Sequence, residues 1–440
     1  MKVFSENLVN DVVKRLKIAN VSEATIGEVL LIAQTLEKET GLPFIRMDQG
    51  SPGLEANFIG REAEKKAIDR GVGSQYPAAA GIPELKNATS NFIKAFLNID
   101  IDAACCLPTT GSVAASFGAF TICSQLDSQK DTVLFIDPGF PIQKSQLRII
   151  GTKWVQFDIH DYRGEALKAK LEEFLKAGNI SAIVYSNPNN PAWICLEENE
   201  LKIIGELATK YDAIVIEDLA YFGMDYRKNL GIPFEPPYPP SVARYTHNYI
   251  LMLSASKIFS YAGQRVAVAC ISNKLFRRQY PTLAARYQDS GVFGLTFIAS
   301  IMYMITSGVT HSTQFALAEM YNQSIDGKIN FVEDTREYQI RAQKMKKIFT
   351  DNGFNVVYDR DVTQQVGDGF FFTIGYPGMN SGELMKELLH YGVSCISLST
   401  TGSEQDGIRG CTSRMREELY PILAERMIEF RKDHPIKTKI

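Results

Sequence analysis

LSASKIFSYAGQR, residues 253–265, places a lysine and an arginine directly after an apolar run. The run Tyr249–Leu253 is typical of a buried β-strand. Lys257 follows it and is flanked by Ser254, Ser256 and Ser260, and Arg265 comes eight residues after the lysine. Serine hydroxyls and the planar guanidinium fork both suit a phosphate group. A lysine beside a bound phosphate can also act as an imine-forming amine. The segment therefore predicts a phosphate-bearing ligand at the end of a strand.

The sequence around this segment alternates short apolar runs with amphipathic stretches such as Gly164–Lys176 and Glu197–Lys210. The runs are Ala103–Leu107, Thr132–Ile136, Trp154–Phe157, Ser181–Tyr185, Ala213–Ile216, Tyr249–Leu253 and Val266–Ile271. This alternation predicts a βαβ series and an α/β fold with a mostly parallel, seven-stranded sheet buried on both faces. In such sheets ligands bind at the carboxyl ends of the strands.

A second, smaller α+β domain is indicated past about residue 310, where the regular alternation of apolar runs and amphipathic stretches ends. A long charged helix over Val332–Thr350 precedes an apolar run at Phe370–Ile374 and a helix over Ser381–Tyr391. We expect a large ligand-binding domain over residues 46–310. The small domain is expected to combine the helical residues 1–45 with residues 311–440.

Composition narrows the functional classes. The 440 residues are 45% hydrophobic and 22% charged, with a formal net charge of −3, which is ordinary for a globular protein. That balance gives no reason to expect nucleic acid or a membrane as a partner. Seven cysteines without a CxxC pair and five scattered histidines predict reduced thiols and no metal site. The N-terminus does not read as a signal peptide, so a cytoplasmic location is expected.

The segment around Lys257 resembles the signature SxSKxFxxxGxR of the class I/II aminotransferases, the aspartate aminotransferase-like enzymes of fold type I that depend on pyridoxal 5′-phosphate (PLP). The matching residues are Ser254, Ser256, Lys257, Phe259, Gly263 and Arg265. The resemblance implies that PLP forms a Schiff base with Lys257. It also implies transfer of an amino group between an L-amino acid and a 2-oxo acid by a ping-pong mechanism.

The same resemblance assigns cofactor and catalytic roles to other residues. Asp218 is expected against the pyridine nitrogen, and Asn190 and Tyr221 against the phenolic oxygen, although Ala192-Trp193 replaces the usual Thr-Gly after the asparagine motif. Lys257, Asp218 and Tyr221 are the expected catalytic residues. The full cofactor set is Gly111, Ser112 and Val113 at the phosphate, Phe140 stacked on the ring, Asn190, Asp218, Tyr221, Ser254, Ser256, Lys257 and Arg265, with Tyr76 supplied by the other subunit of a homodimer.

For the substrate, Gly407-Ile-Arg409 resembles the site of the arginine that binds the α-carboxylate. A guanidinium suits that role because it binds a carboxylate through two charge-assisted hydrogen bonds. Arg414 is close enough in sequence to be a rival. Gly50 and Asn190 complete the expected substrate set, and the identity of the amino donor stays open.

Two other functions fit parts of the pattern. A β-C–S lyase or another α,β-eliminating enzyme of the same fold would use the same residues around the ring, but it would release pyruvate and ammonia from cysteine-type substrates without a 2-oxo acid. A transcription regulator can carry this fold as an effector-binding module behind a basic DNA-binding domain. Residues 1–45 are too short and not cationic enough for that domain.

Overall fold

The computed structural model describes residues 2–436. The strands are β1 Ile45–Arg46, β2 Cys106–Thr109, β3 Thr132–Asp137, β4 Lys153–Asp158, β5 Ile180–Ser186, β6 Ile214–Leu219, β7 Tyr249–Ser254, β8 Ala267–Ile271, β9 Asn355–Val356, β10 Phe371–Gly375, β11 Val393–Ser394, β12 Ile396–Ser397 and β13 Ile408–Cys411. The helices are α1 Glu6–Arg15, α2 Ile26–Thr40, α3 Phe58–Asp69, α4 Pro83–Leu97, α5 Gly111–Cys123, α6 Pro141–Ile150, α7 Ala166–Leu175, α8 Glu198–Lys210, α9 Ala255–Ile258, α10 Asn273–Arg277, α11 Pro281–Tyr287, α12 Phe293–Thr296, α13 Tyr303–Thr306, α14 His311–Ile325, α15 Phe331–Asp334, α16 Glu337–Asp351, α17 Ser381–His390 and α18 Tyr420–Asp433. None of the helices within residues 2–436 combines the length and the apolar character needed to cross a membrane.

The larger of two compact units comprises Leu54–Asn189 and Cys195–Thr335. Its seven-stranded sheet has the order β2-β8-β7-β6-β5-β3-β4, and β8 is the strand that runs antiparallel to its neighbours. Every residue of β3, β5, β6, β7 and β8 is buried, which requires cover on both faces of the sheet. The expected mostly parallel, seven-stranded sheet is confirmed.

The smaller unit comprises the chain up to Gly53, Asn190–Ile194, and the chain from Arg336 onward. Strands β12-β13-β10-β9 form an antiparallel sheet, and β1 pairs in parallel with β11. Apolar residues of α1, α2, α16, α17 and α18 share one core with these strands. Helix α2 begins where Thr25 and Glu28 cap each other's backbone N–H groups, which satisfies donors left open at a helix start.

The unit boundaries differ from those expected at 46–310. Residues up to Gly53 stay with the smaller unit because β1 pairs with β11 and the N–H of Met47 donates to the carbonyl of Ser394. Helix α14, expected in the small domain, packs against α3 and α4 of the larger unit.

The helix expected over Val332–Thr350 is interrupted between α15 and α16. The hydroxyl of Thr335 donates to the carbonyls of Phe331 and Val332, which closes the first helix. The break falls at the boundary between the two units.

Candidate active site

The larger unit brings several of the predicted residues to one edge of its sheet. Strands β6 and β7 are parallel neighbours, so Asp218 and Ser254 lie at the same edge. The reversed strand β8 starts there, because Ala267 pairs with both Thr109 and Ser254. Arg265, two residues before Ala267, therefore belongs to the edge at which the parallel strands end.

Lys257 lies on the short helix α9, which leaves the end of β7. The side chain of Ser254 caps this helix by accepting a hydrogen bond of 3.2 Å from the N–H of Ser256. The hydroxyl of Ser254 thus stabilises the turn that carries the lysine, and Lys257 itself is half-buried.

Gly111 and Arg265 form a close contact at the start of α5. Gly111 has a φ of +76°, and a Cβ atom placed there would lie 2.4 Å from Nη2 of Arg265. The guanidinium therefore packs directly on the glycine. The first turn of a helix presents backbone N–H groups that have no intrahelical partner, and these favour an anion. We call Gly111, Ser112, Val113 and Arg265 the phosphate cradle.

Asp218 is buried at the carboxyl end of β6, with 6% of its surface exposed. Its carboxyl group accepts hydrogen bonds from the N–H of Ala220 at 3.1 Å and from Nε2 of Gln143 at 3.3 Å. Burial raises the pKa of Asp218 to about 6, against the lowering effect of the Ala220 N–H. Both donors are neutral, so a cation such as a protonated pyridine nitrogen fits this site.

The neighbouring Glu217 has a separate set of partners. Tyr185 and Ser241 donate their hydroxyl groups to its two oxygens at 3.2 Å and 2.6 Å. Successive side chains of a strand point to opposite faces, which explains why Glu217 does not share the environment of Asp218.

Three aromatic residues of the predicted set have different environments in the larger unit. Tyr221 follows β6 and is buried, with 4% of its surface exposed. Phe140 is half-buried and directly precedes α6. Tyr76 stands apart, because 91% of its surface is exposed.

The smaller unit brings Arg409 and Asn190 together. Strand β13 holds Arg409, which is 1% exposed, and its Nη1 donates to Oδ1 of Asn190 at 3.3 Å. Its guanidinium also donates to the carbonyl of Asp48 and lies 4.7 Å from the ring centre of Phe371. A Cβ atom on Gly50 would lie 3.0 Å from that ring, so Gly50 borders the same cluster.

The rival Arg414 has a different environment. It is exposed and lines a cavity of about 360 Å³ together with Arg46 and Arg341, whereas Arg409 is not part of that lining. The two arginines thus differ in both burial and contacts.

Comparisons with known proteins fit this geometry. Residues 51–427 match the family model described as aminotransferase class I and II. The chain belongs to this family. It is 26% identical over 235 residues to the aspartate aminotransferase of Pyrococcus horikoshii. This alignment covers 53% of this chain and 57% of the relative. It is 23% identical over 382 residues to the probable aspartate aminotransferase of Methanocaldococcus jannaschii, covering 86% and 88%.

The solved structure of an alanine aminotransferase from Pyrococcus furiosus superposes with a TM-score of 0.74 at 19% identity. That alignment covers 96% of this aminotransferase-family chain and 99% of the other. The family match and the named relatives confirm the predicted family and transaminase class, and the superposition confirms the predicted fold. Because these relatives are named for different amino acids, the comparisons leave the substrate of this chain open.

Sequence reasoning missed two buried contacts of the site. Gln143 was not recognised as a partner of Asp218, and Asp48 was not recognised as a partner of Arg409. The first contact joins residues 75 positions apart and the second joins residues 361 positions apart, so no local pattern in the sequence signals either of them.

Proposed function

We propose that this member of the aminotransferase class I and II family binds PLP covalently at Lys257. It transfers an amino group between an L-amino acid and a 2-oxo acid in two successive half-reactions. The observation that carries the proposal is the common edge shared by the lysine, the phosphate cradle and the buried Asp218.

The residues at this edge fit the three reactive parts of PLP. The phosphate cradle supplies backbone N–H groups and a guanidinium for the phosphate. Lys257 supplies an amine for the aldehyde. Asp218 supplies a buried negative charge for the ring nitrogen. When bound, PLP supplies a conjugated ring that accepts the electron pair left at Cα when its proton is removed.

The chain's own groups would manage protons and charge. The amine of Lys257 would take the proton from Cα of the substrate and deliver it to C4′, the former aldehyde carbon of PLP, acting first as base and then as acid. The ionised Asp218 holds the positive charge of the ring nitrogen in place. We assign Tyr221 and Asn190 as hydrogen-bond donors to the phenolic oxygen and Phe140 as the ring that stacks on the pyridine.

Arg409 is proposed to bind the α-carboxylate of the substrate. Its bond to Asn190 and its packing on Phe371 fix the direction of the guanidinium. Such preorganisation reduces the side-chain freedom lost on binding. Gly50, beside the same ring, leaves room that any side chain would remove.

Covalent attachment is tested by adding PLP, reducing with borohydride and mapping the modified peptide. We expect the label on Lys257 and its loss in Lys257→Ala. Lys86 is a matched control, because it is also a half-buried lysine of the larger unit, and its Nζ donates to the carbonyls of Ala80 and Ala104. Label retained by Lys257→Ala or lost in Lys86→Met would contradict the assignment.

The reaction type is tested by a half-reaction screen. Each amino acid is added to the PLP-loaded protein, and formation of pyridoxamine phosphate is followed by absorbance. We expect conversion by at least one amino acid and its reversal by a 2-oxo acid. Release of pyruvate and ammonia from cysteine without a 2-oxo acid would instead assign the chain to the β-C–S lyases.

A homodimer is part of the proposal. Tyr76 is almost fully exposed, and Phe58 and Ile68 of α3 are 64% and 58% exposed. Such apolar exposure suits an interface between identical subunits. Tyr76→Ala and Lys257→Ala subunits are each expected to be impaired alone, whereas a hybrid dimer regains one intact site. An inactive hybrid would reject the exchange of Tyr76 between subunits.

We also propose a cytoplasmic location. All seven cysteines are buried and form no disulfide among the described residues, which suits a reducing compartment. Fractionation of the native host cells with an antibody to this chain tests the location.

A further inference from the structure

Helix α6 carries two buried glutamines whose role the predicted site leaves unexplained. Gln143 and Gln146 are each 5% exposed. Glutamine is mostly found at protein surfaces, and burying its amide costs free energy unless the amide is hydrogen-bonded. Their spacing of three residues places both on the same face of the helix.

Gln143 faces the carboxyl group of Asp218. Its Nε2 donates to Oδ2 of the aspartate at 3.3 Å. A carboxylate only accepts hydrogen bonds, so the amide must present its NH2 group here. This bond favours the ionised form of the aspartate.

Gln146 faces the start of α5. Its Nε2 donates to the carbonyl of Val113 at 2.7 Å, and its Oε1 accepts a hydrogen bond of 2.8 Å from the hydroxyl of Ser116. The carbonyl of Val113 also lies 3.0 Å from the hydroxyl of Ser116, whose single hydrogen is shared between this carbonyl and Oε1 of Gln146. Gln146 thus holds the first turn of the helix that opens with the phosphate cradle.

We propose that Gln143 and Gln146 are positioning residues. Helix α6 carries both of them, and through their amides it holds Asp218 and the phosphate cradle at a fixed separation. The proposal rests on the function proposed above. A helix rises about 1.5 Å per residue, so the two amides are held at a fixed separation of about 4.5 Å along its axis. The carboxylate and the first turn of α5 are thereby held in register for a single rigid ligand.

The helix is itself anchored beside the site. Lys144 forms an ion pair with Asp137, which ends β3. The two glutamines therefore flank a residue that ties α6 to the sheet. Other titratable groups carried by the elements around Asp218 are Asp137 with Lys144, Tyr185 with Glu217, Tyr221 and Lys257.

The test uses Gln143→Met and Gln146→Met, which keep side-chain length and remove the amide. Gln314→Met is the matched control. Gln314 is also fully buried in the larger unit, where it accepts from the N–H of Ile82 at 3.0 Å and donates to the carbonyl of Val309 at 2.9 Å. Two quantities are measured, namely the dissociation constant of PLP as a function of pH and the binding of inorganic phosphate to the apoprotein.

The two variants are expected to fail in different ways. Gln143→Met should weaken PLP binding about tenfold at neutral pH, the worth of a charge-assisted hydrogen bond, and should move the pH midpoint of binding upward. Its phosphate binding should match wild type. Gln146→Met should weaken phosphate binding severalfold without moving that midpoint, and Gln314→Met should change neither quantity.

The outcomes separate the two proposals. Wild-type protein that binds no PLP would refute the proposed function. Wild-type binding of PLP, together with Gln143→Met and Gln146→Met proteins whose pH midpoint and phosphate affinity both equal wild type, would refute the positioning role alone.

Discussion

Replacing Asp218 by asparagine should stabilise the apoprotein at neutral pH while it removes PLP binding. Burial raises the pKa of Asp218 to about 6, whereas the ordinary value is 3.8. A difference of about 2 pH units, at about 1.36 kcal/mol each, is a cost of about 3 kcal/mol for ionising the carboxyl group in the folded chain. A group with a raised pKa contributes full stability below pH 3.8 and loses it as the pH rises through about 6.

The free energy of unfolding of both apoproteins is measured by urea denaturation across this pH range. Asp218→Asn should exceed wild type by up to about 3 kcal/mol at pH 7, and the difference should fall toward zero near pH 4. Saturating PLP should stabilise wild type only, because ligand that binds the folded state stabilises it. A difference in stability that does not change with pH would show that burial does not raise the pKa of Asp218.

Glu217→Gln is a matched control for this experiment. Burial raises the pKa of Glu217 to about 7, so its replacement should also raise stability as the pH increases. Its partners are Tyr185 and Ser241, away from those of Asp218. PLP binding should therefore survive in this variant, and loss of binding would undermine the distinction between the two carboxylates.

Three further substitutions probe other contacts. Gly111→Ala should cost about 1–2 kcal/mol of stability, because φ is +76° and the new Cβ displaces Arg265. Phosphate binding measured by calorimetry should weaken, and an unchanged affinity would show that the phosphate cradle does not bind phosphate. Lys144→Met should lower the free energy of unfolding by about 3–5 kcal/mol at pH 7 in urea denaturation, because the buried Asp137 loses its cation. The loss should be smaller at pH 5, where the aspartate can take up a proton, and equal losses at the two pH values would contradict this explanation. Arg409→Lys should raise KM for the amino acid about tenfold or more, since lysine cannot form the pair of hydrogen bonds that a guanidinium makes to a carboxylate. An unchanged KM in half-reaction kinetics would show that another residue binds the α-carboxylate.

The sequence predicted the larger unit well because most of its strands are buried throughout and contain a continuous apolar run. Each of the seven apolar runs overlaps one strand of the sheet, and Tyr249–Leu253 differs from β7 by one residue. The smaller unit was harder to read, because β12 and β13 contain two and four residues. Segments that short carry no detectable periodicity, and their pairing depends on tertiary contacts.

The candidate site shows the same limit. Lys257 and Arg265 could be found because they are close in sequence and follow a strand. The contact of Arg409 with Asn190 joins residues 219 positions apart, and its existence depends on how the chain returns to the smaller unit. The amide of Gln143 lies 75 positions from Asp218 in sequence, and a single sequence gives no sign of such a pairing.

The antiparallel direction of β8 limits which insertions the sequence can accept during evolution. Since that strand runs backward, the polypeptide leaves the edge of the sheet at Ser254 and is back at the same edge by Ala267. The amine and the guanidinium are consequently carried by one short local loop, whose length sets their spacing. A single residue added between Lys257 and Arg265 would change the distance between the amine and the guanidinium, and the proposed ligand, whose aldehyde and phosphate belong to one small molecule, could not follow that change.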